Sequence, residues 1–424
     1  MRVFKFGGAS VQNATSIRHV SKIVQANRNS PLLIVVSAMG KTTNALERVL
    51  NDFHNHKDIN IELSGIKKYH REIMEALFGG IDPVIQTIES YFDQISEIIS
   101  KPGEFDKIYD QVVSIGEIVS SQILAKLLQK DGINTEWIDA RKIIITDSNW
   151  REGKVQWNET ERNCQTLLPL LNQKVIVTQG FLGSDVDGNT VTLGRDGSDF
   201  SAAIFASCLE AESVTIWKDV PGVMNADPKR LPAAIVFEEL PFKEAAEMTY
   251  YGASVIHPKT IKPLATKRIP LFVKNFDNPQ LAGTKIHECN VHHLPPLIVF
   301  KDNQCLISCK VTDYTFFDEK QIGIIFAALL KLDVKINVMQ NSAISFSFCV
   351  DFRESKIVKL IDELSKNFEV YYNTQLTLVT IKNYDQKTFT EYRTKPGVVL
   401  EQSSRSTLQV LMKTDPSKHL AGKS

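Results

Sequence analysis

The unbroken aliphatic run Leu32–Val36 most narrows the folds open to this chain. Five consecutive aliphatic residues without polar alternation are typical of a central parallel strand that is buried on both faces. The run ends in Ser37–Asn44, a loop of small and hydroxyl-bearing residues, and Leu46, Val49 and Leu50 then fall on one face of a helix. This order predicts an α/β fold in which helices cover both faces of an open, mostly parallel sheet.

The amino terminus has the same order of strand, loop and helix. The apolar run Val3–Phe6 is followed by Gly7 and Gly8, and residues 17–24 carry a helical pattern. Lys5 is expected at the carboxyl end of the strand, where open α/β sheets bind their ligands. The spacing is neither that of a Walker loop nor that of a dinucleotide loop. A phosphate-binding turn and a bare tight turn both fit the two glycines.

A third polar loop, Thr192–Ala203, leads into an apolar helical pattern. Free N–H groups at the start of that helix, together with the Arg195 guanidinium, form a site suited to a carboxylate or phosphate. The alternative is an ordinary turn in which Asp196 or Ser198 caps the helix.

Two further segments carry candidate binding groups. Glu117 follows Gly116, and we expect it at the start of a helix, either as a partner of the helix dipole or as the acceptor of a substrate ammonium. The charged loop Trp217–Lys229 follows a predicted buried strand, and it is either a nucleotide-binding segment or a solvated connection.

Length and charge limit the classes of function. A chain of 424 residues predicts two or three domains. With 49 basic and 49 acidic residues the net charge is near zero, which disfavours nucleic acid or an anionic membrane as the main partner. The sequence has no apolar run of membrane-spanning length and no basic-then-apolar leader, so we expect a cytoplasmic protein. No Cys or His spacing indicates a metal site on the protein.

Beyond about residue 297 the pattern changes to that of a ferredoxin-like α+β module. Its predicted βαββαβ elements are Cys305–Val311, Gln321–Leu332, Lys335–Gln340, Ala343–Asp351, Ser355–Asn367 and Glu369–Tyr372. The strands expected after residue 374 indicate a second, reduced copy of the module.

Taken together, these segments resemble the motifs of aspartate kinases, members of the amino acid kinase superfamily. The motifs occur in order over residues 1 to about 285: Lys5–Ser10, Ser37–Asn44, Ser114–Glu117, Thr192–Ala203, Trp217–Lys229 and Phe242–Pro258. The carboxyl-terminal region resembles the paired ACT domains of that family. The resemblance implies a catalytic domain over residues 1–290 with the amino acid kinase fold. It also implies an ACT regulatory region over 297–424 with two modules, the second reduced.

The resemblance implies phosphorylation of the side-chain carboxylate of L-aspartate by Mg-ATP, the first step toward lysine, threonine and methionine. Lys5 would neutralise the phosphoryl group in transfer, and Asp199 would orient Lys5. Arg195 would bind a substrate carboxylate and Glu117 the α-ammonium. The side chains expected to position the aspartate are Ser37, Thr43 and Ser198.

The implied ATP site combines residues from several segments. Besides Lys5 it contains Gly7, Gly8, Lys218, Asp219, Met224, Lys229, Ser254 and Val255. Five positions differ from the usual family residues, with Lys218 in place of a threonine and Ser254 in place of a lysine. The other three are Ala9, Asp196 and Met224.

The ACT region implies a homodimer and an amino acid effector, bound near Gln340, Asn341 and Ser342. Because no dinucleotide-binding domain occurs in the 424 residues, we expect no dehydrogenase activity in this chain. Two other functions stay open at this point: an amino acid kinase for a different carboxylate, such as that of glutamate, and a non-catalytic amino acid sensor built on the ACT region.

Overall fold

The computed structural model describes residues 1–80, 82–252, 256–291, 293–312 and 316–413. They form two compact units. The first consists of Met1–Val223, Val236–Ala246 and the described residues of Ser254–Val291. The second consists of Met224–Ile235 and the described residues of Glu247–Ala253 and His292–Ser424.

An eight-stranded sheet forms the centre of the first unit. Its strands are β1 Arg2–Phe6, β2 Leu32–Val36, β3 Thr135–Ile138, β4 Val175–Gln179, β7 Ser213–Lys218, β8 Glu239–Pro241, β9 Leu271–Asn275 and β10 Thr284–His287. They lie in the order β3-β4-β2-β1-β7-β9-β10-β8, and each neighbouring pair is parallel except β9 and β10. A separate hairpin is formed by β5 Leu182–Ser184 and β6 Thr190–Thr192.

Helices cover this sheet. They are α1 Ala14–Asn27, α2 Thr42–His54, α3 Asn60–Phe78, α4 Val84–Ser100, α5 Phe105–Lys130, α6 Trp157–Gln165, α7 Leu168–Leu171, α8 Gly197–Cys208, α9 Phe242–Tyr250 and α10 Pro258–Lys267. Residues of α1 to α5 join Phe4 and Phe6 in one apolar core. Because side chains alternate along a strand, Lys5 faces the other side of the sheet, where α8 packs on β1.

Glu117 lies in the middle of α5, so the prediction that it starts a helix is wrong. Gly116 is not a break but a point of close approach. A Cβ atom at that position would lie 3.1 Å from Cβ of Ala38 and 3.3 Å from Cγ2 of Thr42. The glycine therefore lets α5 approach the loop after β2, and the tertiary contact outweighs the poor helix propensity of glycine.

The second unit contains an antiparallel sheet with helices. Its elements are β11 Leu297–Lys310, α11 Glu319–Lys331, β12 Ile336–Asn341, β13 Ser345–Asp351, α12 Glu354–Leu364, β14 Glu369–Lys382, α13 Gln386–Arg393, β15 Val398–Ser403 and β16 Thr407–Lys413. The strand order is β12-β13-β11-β14-β16-β15.

Two long strands, β11 and β14, run through both halves of this sheet. Residues 304–310 of β11 pair with β13, and residues 376–382 of β14 pair with β16. The first half has the predicted βαββαβ order, whereas α13, in the second half, was not predicted. The predicted fold class, a mostly parallel α/β sheet followed by an antiparallel α+β region, is confirmed.

Within the described ranges, α5 is the one helix that is long and apolar enough to cross a membrane by length and composition. The protein itself buries 83% of its apolar window. Such burial is also found for a core helix, so this feature is weak evidence for a membrane span.

Candidate active site

The parallel register brings three loops together at the carboxyl edge of the sheet. Phe6 lies opposite both Val36 and Trp217, so the segments that follow β1, β2 and β7 leave the sheet side by side. A cavity of about 850 Å³ opens at this edge. Eight of the residues predicted from the sequence line it: Lys5, Ser37, Thr43, Glu117, Arg195, Ser198, Asp199 and Lys218.

A buried carboxylate lies between two ammonium groups in the cavity. The Nζ atom of Lys5 is 2.7 Å from Oδ1 of Asp199, and Nζ of Lys218 is 3.5 Å from Oδ2. Burial alone would raise the pKa of Asp199, but the two lysines outweigh it and hold the pKa below its usual value. The carboxylate is therefore ionised and fixes two positive charges beside the cavity.

Glu117 and Ser198 connect α5 to the first turn of α8. The hydroxyl of Ser198 donates a 2.7 Å hydrogen bond to Oε1 of Glu117, and both residues are buried. Burial raises the pKa of Glu117 to about 7, although the Ser198 hydrogen bond and the Lys5 charge favour its ionised form. A cationic group entering the cavity would favour the ionised form further.

Arg195 lies at the mouth of the cavity rather than inside it. Its side chain is 82% exposed, and its Nε atom is 3.6 Å from Oδ2 of Asp196. Asp196 precedes α8 with a left-handed backbone (φ 55°), and its side chain makes no capping hydrogen bond. The alternative in which Asp196 caps the helix with its side chain is therefore wrong.

The two loops after β1 and β2 contact each other. The Gly40 N–H donates a 3.0 Å hydrogen bond to the Gly8 carbonyl, and the Ser120 hydroxyl of α5 donates a 2.7 Å hydrogen bond to the Ser37 carbonyl. A Cβ atom on Gly7 would lie 3.6 Å from Nζ of Lys5. The glycine turn is thus adjacent to the lysine, and α5 fixes the hydroxyl-rich loop.

The structure does not bring every predicted ATP-site residue to this cavity. Asp219 is exposed and is not among the residues that line it. Met224 and Lys229 belong to the second unit. Ser254 and Val255 lie outside the described residues.

The predicted effector residues lie at the end of β12. Gln340, Asn341 and Ser342 are all exposed, and β12 is an edge strand of its sheet. The hydroxyl oxygens of Ser342 and Ser345 are 2.8 Å apart, which closes the turn between β12 and β13.

Several residues that line the cavity or hydrogen-bond to its lining were missed. Asp110, fully buried on α5, accepts hydrogen bonds from the Arg151 N–H (2.9 Å) and from both the N–H (2.9 Å) and the hydroxyl (2.7 Å) of Thr192. Arg151 and Tyr109 line the cavity. A helical spacing of three to four between Asp106, Tyr109 and Asp110 was a signal in the sequence, but nothing local marked Arg151.

A sequence model described as the amino acid kinase family matches residues 1–275 of the chain. Lysine-sensitive aspartokinase 3 of Escherichia coli is 30% identical over 399 residues, which cover 90% of this chain and 87% of that protein. The chain belongs to the amino acid kinase family, among its aspartokinases. Within this family, the bifunctional aspartokinase/homoserine dehydrogenase 2 of Arabidopsis thaliana is 34% identical over 295 residues, and the match covers 67% of this chain and 32% of that longer protein.

Solved aspartokinase structures share the fold over nearly the whole chain. Aspartokinase III of Escherichia coli in complex with lysine and aspartate has a TM-score of 0.81 at 26% identity, and the match covers 99% of this chain and 97% of that one. The same enzyme in complex with aspartate and ADP also has a TM-score of 0.81.

Proposed function

We propose that the chain transfers the γ-phosphate of Mg-ATP to the side-chain carboxylate of L-aspartate. The products are 4-phospho-L-aspartate and ADP, and the reaction is the first step toward lysine, threonine and methionine. Membership of the aspartokinases supports this proposal, as does the likeness to the Escherichia coli enzyme that was solved with aspartate and ADP.

The proposal rests on one observation: lysine ammonium groups and a glutamate carboxyl group lie in the same cavity. Lys5 and Lys218 supply two cations next to Asp199, and Glu117 supplies a carboxyl group in the same cavity. The cations suit a phosphoryl group and the carboxyl group suits an ammonium. A substrate that carries both a nucleophilic carboxylate and an ammonium meets these two requirements.

In the transfer step, an oxygen of the aspartate side chain attacks the γ-phosphorus of ATP. The bond from that phosphorus to the oxygen bridging to the β-phosphate breaks, and ADP leaves with the electron pair. Because a carboxylate is already a nucleophile, no general base is required. Catalysis then depends on alignment and on neutralising charge on the transferred group. Lys5 supplies that charge, and Asp199 holds Lys5 in position.

For the substrate, Glu117 receives the α-ammonium and Arg195 a carboxylate, while Ser37, Thr43 and Ser198 orient the molecule. For the nucleotide, the N–H groups of Gly7 and Gly8 and the side chain of Lys218 bind phosphate oxygens. The remaining residues proposed for ATP are Asp219, Met224, Lys229, Ser254 and Val255. Mg²⁺ enters with the nucleotide as part of the substrate, because phosphate oxygens and water are the ligands it prefers.

An ATP-dependent hydroxamate assay tests the reaction. We expect product with L-aspartate and none with L-glutamate at equal concentration. Product with glutamate alone would assign the chain to another carboxylate substrate. Absence of product with either amino acid, combined with binding of an amino acid to the carboxyl-terminal unit, would favour the sensor function.

For the carboxyl-terminal region we propose an ACT function over residues 297–424, with an amino acid effector bound near Gln340, Asn341 and Ser342. The catalytic domain is proposed for residues 1–290. We further propose a homodimer, which sedimentation analysis of the full chain tests. A cytoplasmic location stays a proposal, since relatives of the chain include chloroplastic enzymes.

A further inference from the structure

Asp110 is a fully buried carboxyl group on α5 that is hydrogen-bonded to two segments at the cavity. Its Oδ1 atom accepts a 2.7 Å hydrogen bond from the Thr192 hydroxyl. Its Oδ2 atom accepts two 2.9 Å hydrogen bonds, from the N–H groups of Thr192 and Arg151. Burial of a carboxyl group costs free energy unless hydrogen bonds satisfy its oxygens. The three donors meet this requirement, and in return Asp110 fixes both segments to the helix.

Asp110 and Glu117 lie on the same face of α5, about two helical turns or 10 Å apart along the axis. Each carboxyl group binds one end of the segment that carries Arg195. At the first end is Thr192, with its two hydrogen bonds to Asp110. At the other end, the Ser198 hydroxyl donates a 2.7 Å hydrogen bond to Oε1 of Glu117. The arginine-bearing segment is thus held against one helix at both ends.

The loop that carries Arg151 contacts the same segment. A Cβ atom on Gly194, which has a φ of 74°, would lie 3.2 Å from the Arg151 carbonyl oxygen. The Gly153 N–H donates a 2.9 Å hydrogen bond to the Thr192 carbonyl. Since Asp110 also binds the Arg151 N–H, it supports the segment twice, directly through Thr192 and indirectly through the neighbouring loop.

The position of Arg195 depends on its backbone more than on its side-chain contacts. The side chain is 82% exposed, and its ion-pair partner is the adjacent Asp196, at a distance of 3.6 Å. An exposed pair of this kind is weak. The direction in which the guanidinium leaves the loop is therefore set by the backbone, which is fixed by the contacts of Thr192 and Gly194.

We propose that Asp110 is a positioning residue for substrate binding, which holds the arginine-bearing segment so that Arg195 meets a carboxylate of the bound amino acid. The inference rests on the proposed function, in which Arg195 binds that carboxylate and Glu117 the ammonium. Asp110 acts through the loop and not by touching the substrate, because it is fully buried. Since Asp110 and Glu117 extend from one helix, α5 sets the spacing of the two groups that recognise the zwitterion.

A double-mutant cycle distinguishes positioning from a merely structural role. Asp110→Asn presents an amide NH₂ group where the loops need an acceptor, so the segment should shift and the KM for aspartate should rise roughly tenfold. In the Arg195→Ala background the same substitution should change this KM by less than about twofold, because the group that Asp110 positions is absent. Effects that multiply in the double variant, or an unchanged KM in Asp110→Asn, overturn the proposal.

Thr192 offers milder variants in case the buried carboxylate cannot be replaced without loss of folding. Thr192→Val removes the hydroxyl donor to Oδ1 and keeps the N–H, so the KM for aspartate should rise about 3- to 10-fold. Thr192→Ser retains the hydroxyl and should keep the parent KM. Ser121→Ala, also on α5, removes the acceptor of a 2.9 Å hydrogen bond from the Trp137 indole and is the matched control. It should lower the urea midpoint without changing the KM, and an equal rise in its KM would contradict a specific role of Asp110.

Calorimetric binding of L-aspartate separates this inference from the proposed function. If the parent protein phosphorylates aspartate but the Asp110 and Arg195 substitutions weaken its binding independently, the inference fails and the function stands. If the parent binds aspartate without phosphorylating it, the proposed function fails, and the same cycle measured as dissociation constants decides the role of Asp110. No binding of aspartate to the parent overturns both.

Discussion

The hydroxyl of Ser198 donates a 2.7 Å hydrogen bond to Oε1 of Glu117 and so joins the first turn of α8 to the middle of α5. Both helices contribute charged groups to one cavity, Asp199 from α8 and Glu117 from α5. The pair therefore lies where the proposed phosphoryl site and the proposed ammonium site meet. It has consequences for the pH dependence of substrate binding.

Ionisation of Glu117 is predicted to control aspartate binding. Because its pKa in the folded protein is raised from 4.5 to about 7, kcat/KM for aspartate should increase as pH rises through about 7 and then level off. The free energy of unfolding should depend on pH in the opposite direction. The stability that the protonated Glu117 contributes is fully present below pH 4.5 and is lost as pH rises through about 7. Steady-state kinetics and urea unfolding measured between pH 5 and pH 9 check the two trends.

The Glu117→Gln variant is the control for that experiment. Burial also raises the pKa of Asp110 on the same helix, so the titration of Glu117 has to be distinguished from that of Asp110 in the kinetics. We expect Glu117→Gln to raise the KM for aspartate roughly tenfold or more and to remove the step near pH 7. A step of unchanged size in this variant would assign the titration to another group.

Removal of Lys5 or Asp199 should have different effects on stability. Lys5→Met should lower kcat on the order of a hundredfold or more, as for loss of one preorganised donor. It leaves Asp199 with Lys218 at 3.5 Å, so the fold should tolerate it. Asp199→Asn leaves the ammonium groups of Lys5 and Lys218 without the carboxylate between them. It should lower kcat as well and, unlike Lys5→Met, destabilise the protein by about 3 kcal/mol.

Single-turnover rates and urea denaturation of the two variants test this difference. Lys68→Ala, which removes one partner of the exposed ion pair with Glu72, should change neither quantity. Full activity of Lys5→Met would show that Lys5 has no role in transfer.

The sequence predicted those parts of the site that depend on local pattern. An aliphatic run followed by a glycine or hydroxyl-rich turn identified β1 and β2 and placed Lys5 and Ser37 at the carboxyl edge of the sheet. Arg151 could not be predicted, because its position results from contact of its loop with Tyr109 and Asp110, more than forty residues earlier in the chain.

Two predictions about helix starts were wrong, for different physical reasons. Gly116 was interpreted as the start of a helix, since glycine disfavours helices, but packing against Ala38 explains its presence inside α5. Asp196 has a good capping side chain, yet its left-handed backbone prevents the usual cap geometry and its carboxylate pairs with Arg195. At Gly116 a tertiary contact outweighs local propensity, whereas at Asp196 the conformation of the residue's own backbone decides.

Lys218 is predicted to act mainly on the nucleotide. Its side chain is 24% exposed at the end of β7. Because a hydrogen bond from a charged group to phosphate contributes substantially to binding, Lys218→Met should raise the KM for ATP at least tenfold. The KM for aspartate should stay within about twofold. Lys267→Met on α10, which removes an exposed partner of Glu210, serves as the reference variant. A rise in the KM for aspartate alone would place Lys218 in the carboxylate site instead.

If the effector binds at the end of β12, a substitution there should weaken inhibition without changing catalytic activity. Asn341→Ala should weaken inhibition by the effector roughly tenfold and leave uninhibited kcat unchanged, because Asn341 is exposed and belongs to the second unit. Titration with lysine, threonine and methionine at saturating ATP identifies the effector. Gln402→Ala on β15, an exposed amide on the opposite edge strand, should leave inhibition unchanged. Equal weakening by both substitutions would contradict a site at β12.

Gly180→Ala is predicted to disturb the bond between Ser198 and Glu117. A Cβ atom at position 180 would lie 2.5 Å from Cβ and 2.7 Å from Cα of Ser198, so the first turn of α8 has to move. We expect a destabilisation of about 1–3 kcal/mol and a drop of at least tenfold in kcat/KM for aspartate. Gly65→Ala inside α3 meets no atom within 4 Å and should instead stabilise the protein by about 0.5–1 kcal/mol without changing the kinetics. Because the two substitutions add the same methyl group, unchanged kinetics in both would show that the position of Ser198 does not limit aspartate phosphorylation.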